Sequence, residues 1–148
     1  MKRIINNKKL IVGLIFIIYL LMLGYHLFLS DSIGKREIAE SYRYNFTLFK
    51  EILRYIGNIH VIGIKLVLIN IMGNVLAFVP FGLFVGYFLK NSKYTFLKTI
   101  LLGLVFTVAI EGIQLITRVG ICDVDDILLN FIGVVTGGAF SKIFNKNN

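Results

Sequence analysis

Between Leu10 and Leu29 the chain runs for 20 residues without a formal charge, and this run limits its fold more than any other feature. As an α-helix rising about 1.5 Å per residue it is about 30 Å long, the thickness of a bilayer's hydrocarbon core. It exceeds the roughly 7–15 apolar residues of a signal peptide. No small-residue cleavage site follows around Leu27 to Ile33, so the run reads as an uncleaved first span. Three more long apolar stretches follow, and lipid offers the backbone no hydrogen-bond partner, so each must close its bonds within itself. The prediction is an all-α membrane protein, a four-helix transmembrane bundle in a single polytopic domain over residues 1–148. Its spans fall at about 10–29, 69–89, 96–117 and 127–144.

Composition agrees. Charged residues make up 16% of the chain, where a soluble domain carries about 25%. The formal net charge of +8 does not read as a nucleic-acid footprint, because the basic residues flank the apolar runs as topology signals do. The single cysteine, Cys122, excludes an intrachain disulfide and any cysteine-rich metal site. With the N-terminus inside, residues 1–9, the 90–98 turn and the C-terminal tail together carry nine Lys/Arg and no acid. Both termini are therefore expected in the cytoplasm.

Residues 30–65 form the main polar segment. Inside it Leu48, Phe49, Ile52, Leu53 and Ile56 recur at helical spacing, with Lys50, Glu51 and Arg54 between them. This predicts a short amphipathic helix lying at the interface between spans 1 and 2, capped by Asn45 or Thr47 and ended by Gly57. Gly82/Gly86 and Gly133/Gly137 each form a GxxxG spacing, which favours tight helix contacts.

The candidate site lies between Glu111 and Gly137, where four carboxylates and Arg118 interrupt a mostly apolar sequence. Ionisable groups in a bilayer are costly and usually have a use. Glu111, Gln114 and Arg118 fall at i, i+3 and i+7 on the third span. Asp126, Asn130, Gly133 and Gly137 share a face of the fourth, and Asn70 and Asn74 a face of the second. Together these residues predict a polar pocket opening to the outside. Structural readings stand beside this one. Glu111 would pair with Arg118 or Gln114, Arg118 would anchor at the interface, and the asparagines would bond between helices. Asp123 and Asp125 are expected in a solvated loop, whereas Asp126 would cap the fourth helix or face the pocket. Asp123, Asp125 and Asp126, with Glu111, also supply oxygens of the kind Mg²⁺ takes, and Arg118 would then hold a phosphate. No nucleophile elbow, HExxH or P-loop occurs, and the sequence assigns no catalytic residue or firm cofactor.

Three blocks, GNVLAFVPFG (Gly73 to Gly82), IEGIQL followed by Arg118 (Ile110 to Arg118) and DVDDILLNFIGVVTG (Asp123 to Gly137), resemble the VanZ-like family of bacterial membrane proteins. A fainter match is Arg43-x-Asn45 leading to Phe49 and Ile52, and the resemblance covers about residues 43–140. It departs at Leu48, where the family tends to have proline. The resemblance implies a multi-pass protein of the bacterial cell membrane, with glycopeptide (teicoplanin) sensitivity as the phenotype. Its partners would be membrane lipids and a lipid-linked cell-wall precursor or lipoglycopeptide. On this basis the leading expectation is an envelope protein whose pocket engages a lipid-linked or amphiphilic anionic molecule. A metal-dependent enzyme acting on a phosphorylated lipid, and a structural or assembly subunit, remain open.

Overall fold

The computed structural model describes residues 2–29 and 38–146, with side chains described over 7–29 and 38–143. It falls into two compact units, Met1–Arg36 and Glu37–Asn148. The first contains helix α1 (Lys2–Phe28), which has no acidic residue and exposes Leu10, Leu14, Ile17 and Leu21.

The second unit begins with a two-residue strand β1 (Tyr44–Asn45), followed by helices α2 (Lys50–Gly57), α3 (Ile59–Ile62), α4 (Ile64–Phe88) and α5 (Thr95–Thr117). Strand β2 (Cys122–Asp123) and helix α6 (Val124–Lys146) complete it. Four helices are long and apolar enough to cross a membrane: Asn7–Phe28, Ile64–Phe88, Thr95–Thr117 and Val124–Ile143. These match the four predicted spans within a few residues, save that α4 begins at Ile64 instead of about Ile69. Gly63, at φ 86°, breaks the backbone just before it and sets the helix start. Pro80 lies inside α4, and the helix continues through it.

Glycine decides how α4, α5 and α6 pack. A methyl group on Gly133 would overlap the Val75 carbonyl oxygen. One on Gly137 would overlap that of Val79 and lie 2.9 Å from the Leu83 nitrogen, and one on Gly82 would lie 2.7 Å from the Gly138 nitrogen. The two GxxxG spacings thus face each other, and α4 and α6 run parallel with their backbones in direct apposition. Such closeness brings glycine Cα–H groups toward facing carbonyls, a weak attraction that suits helix crossings. α5 runs antiparallel against α6, with Val134 filling the space above Gly103 and the Thr99 methyl 3.2 Å from where a Gly138 side chain would begin. α4 and α5 meet through Phe81 stacked on Phe106, centroids 4.2 Å apart. Phe78 and Val134 are fully buried.

Helix α2 packs on α4 and α6 with no buried residue, as a surface-lying amphipathic helix should. Its cap differs from the prediction. Phe49 precedes it in the left-handed conformation and no local side chain caps it, because Asn45 and Thr47 are engaged with each other through the Thr47 N–H and Asn45 Oδ1, 3.2 Å apart. The β1–β2 pairing is parallel, with Tyr44 against Cys122 and Asn45 against Asp123. It adds a small strand element to a chain predicted to be wholly helical.

Candidate functional site

The loop between α5 and α6 is built to bring acids together. Thr117 ends α5, Arg118 turns into the left-handed region at φ 56° and Gly120 follows at φ 105°. The chain is thereby reversed within a few residues and Cys122 and Asp123 are laid beside β1. The Cys122 N–H donates to the Arg43 carbonyl, 3.1 Å. Asp123 then stands immediately before α6, where its Oδ1 accepts the Asp125 N–H at 2.8 Å. That is the bond of an N-cap, so Asp123 caps α6, one of the two roles expected of Asp126. The same oxygen accepts from Asn45 Nδ2 at 3.1 Å.

Asp125 caps a helix that is not its own. Its Oδ2 accepts the N–H groups of Glu51 at 2.9 Å and Ile52 at 3.2 Å, and its Oδ1 accepts that of Phe49. These are donors that a helix N-terminus leaves unpaired, and a carboxylate there also suits the helix dipole. The two aspartates expected in a solvated loop are therefore buried, Asp123 at 5% exposure and Asp125 at 1%. Paired strands and α2 cover the loop, which sequence periodicity does not register. Burial pushes the Asp123 carboxyl above the usual carboxylate range, against its hydrogen bonds from the Asp125 backbone and Asn45. The Cys122 thiol is likewise raised, by burial first and then by the charges of Glu111 and Asp123.

Glu111, 2% exposed, accepts the Asp123 N–H through Oε2 at 3.0 Å. It ties α5 to the start of α6. Asp126 Oδ1 accepts from Asn74 Nδ2 at 2.6 Å, joining α6 to α4. One turn further along α6, Asn130 is 2% exposed and its Oδ1 has no hydrogen-bond partner among the described residues. Gln114 is buried on the same face of α5, beside Gly120.

Two predicted members stand apart. Arg118 donates from Nη1 to the Glu40 carbonyl at 3.2 Å, with its guanidinium 5.8 Å from the Tyr42 ring centroid. The left-handed turn that ends α5 directs it to the 38–42 segment and away from the acids. Asn70 donates to the Leu66 carbonyl of its own helix at 2.8 Å, so it builds no third wall with Asn74. Among the described residues no three His, Cys, Asp or Glu side chains gather as a metal site requires. Each carboxylate answers a different partner: Asp125 answers α2, Asp123 answers Asn45 and its own helix, and Asp126 answers Asn74. The residue that sequence spacing missed is Asn45, buried at the base of the network. Its sequence signals were its candidacy as a helix cap and the faint Arg43-x-Asn45 match, neither of which pointed to Asp123.

A family model described as VanZ/LLP1 matches residues 16–145. No curated protein matches, and no solved structure does.

Proposed function

As the chain belongs to the VanZ/LLP1 family, we propose that this multi-pass membrane protein acts in the bacterial cell envelope by engaging a lipid-linked or amphiphilic molecule at the polar end of α5 and α6. The supporting observation is the burial of Glu111, Gln114 and Asn130 beside Asp126 and Asn74 at one end of otherwise apolar helices. Buried polar side chains at membrane depth are costly unless they serve packing or a ligand. α2 lies across this end and exposes Leu53 and Ile56, giving an amphiphile's chain an apolar surface next to the polar one. Glu111, Gln114, Asp126, Asn130 and Asn74 form the binding group in this reading. The positive-inside pattern supports a reading with this end on the outer side of the cytoplasmic membrane and both termini in the cytoplasm.

Glycopeptide sensitivity, teicoplanin foremost, is the phenotype by which to test the reading. Cells dependent on the protein should change in sensitivity when it is removed, and Glu111→Gln or Asp126→Asn at equal membrane abundance should reproduce that change. Full function in both variants would refute the binding role of this end.

A further inference from the structure

The sequence suggested an anionic partner because Arg118 seemed to stand among the acids; the structure directs Arg118 to the Glu40 carbonyl and the Tyr42 ring instead. What is left is a site of acceptors. We infer that the group bound at this end is a protonated primary amine, carried by the amphiphile of the proposed function, on which this inference rests.

Helix register locates the site. Gly103 against Val134 and Thr99 against Gly138 align α5 and α6 antiparallel. Extending that alignment places Thr107 level with Asn130, Glu111 level with Asp126 and Gln114 level with Asp123. The polar groups thus form consecutive rungs between the two helices, with Asn74 of α4 reaching the middle one through Asp126. The donors on Asp123 and Asp126 are amides: the Asn45 and Asn74 side chains and the Asp125 backbone N–H. Among the described residues, the ion pair present is Arg54 with Glu51 on α2. One buried amide remains independent of the acids: Asn130 Oδ1 has no partner among the described residues.

An unpaired buried carbonyl oxygen needs a donor. It sits one turn from Asp126 on the same face, so a ligand that satisfied it would meet a carboxylate too. An ammonium fits both demands, with up to three N–H donors and a positive charge on one small head. A phosphate offers acceptors to acceptors and brings like charge to Asp126 and Glu111. A divalent metal needs several oxygens converging on one point, and the carboxylates here are held to separate partners.

The test is calorimetry on the full-length protein in nanodiscs of neutral lipid, titrated with dodecylammonium, dodecyl phosphate and propylammonium. Wild type should bind dodecylammonium saturably and more tightly than dodecyl phosphate. Asp126→Asn and Asn130→Leu should each weaken it by about tenfold or more. Asp126→Asn keeps an oxygen for the Asn74 bond, so it guards against a variant that merely fails to fold. Thermal unfolding of each variant reports that separately. Propylammonium binding as tightly as the long-chain amine would uphold the ammonium site and refute the amphiphile reading. Dodecyl phosphate binding more tightly, with loss in the same variants, would overturn the ammonium inference and leave the amphiphile reading standing. Saturable binding by neither long-chain probe, nor by propylammonium, would overturn both.

Discussion

Asp125 offers the sharpest test of how this end of the molecule is assembled. Its carboxylate receives the N–H groups of Phe49, Glu51 and Ile52, 73 to 76 residues away in sequence, so Asp125→Ala removes the whole N-terminal cap of α2 in one step. A fully buried hydrogen bond to a charged group contributes about 1.5–3 kcal/mol. Phe49 is half exposed, so water recovers part of that in the variant. Losing an N-cap costs about 0.5–2 kcal/mol, and losing an anion at a helix N-terminus about 0.3–1 kcal/mol more. The net cost should be about 2–3 kcal/mol, which lowers protection against hydrogen exchange by roughly 30- to 150-fold. The loss should be confined to residues 49–57, because the glycine-packed core of α4 and α6 does not depend on Asp125. Asp125→Asn keeps one acceptor oxygen and should lose about half as much free energy. Exchange followed by mass spectrometry in nanodiscs resolves the α2 peptide from those of α6. A change below about threefold in that peptide would refute the capping argument, as would equal losses across α6.

Four further outcomes are expected. Gly133→Ala and Gly137→Ala should destabilise by about 1–3 kcal/mol through overpacking, whereas Gly73→Ala and Gly112→Ala, with nothing within 4 Å of the added carbon, should be neutral or gain up to about 1 kcal/mol. Thermal unfolding in detergent ranks all four. Cys122, 6% exposed and with its thiol raised by burial, should react slowly with maleimide until the protein is unfolded. Topology is better read with Thr47→Cys and Asn91→Cys in a Cys122→Ala background, where an impermeant maleimide should label the first on intact cells and the second only after permeabilisation. Finally, burial raises the Asp123 carboxyl, so the folded chain takes up this proton more readily than the unfolded one. Stability from this group therefore rises as pH falls from the raised folded pKa toward the ordinary value of about 4. The Tm of wild type relative to Asp123→Asn should climb as pH falls through the raised folded pKa toward about 4, and a flat difference would contradict the assignment.

The spans were legible in the sequence because each is a local property. A continuous apolar run must be helical in lipid wherever the rest of the chain lies, and Leu10 to Leu29 needs no partner to declare itself. The amphipathic helix was legible for the same reason, as was the facing of Glu111 with Gln114 and of Asp126 with Asn130, which follows from 3.6 residues per turn. What each side chain touches was not local. Asp123 and Asp125 read as loop residues because nothing within a few positions explains their burial; the cover is β1 and α2, more than 70 residues earlier. Arg118 read as a partner of the acids from spacing alone, yet one left-handed residue at the end of α5 turns it away. The two GxxxG spacings announced close packing, but only the tertiary structure put one against the other and made α4 and α6 a parallel pair. Periodicity is a local property; the fold chose which acids became caps and which amide was left unpaired among the described residues.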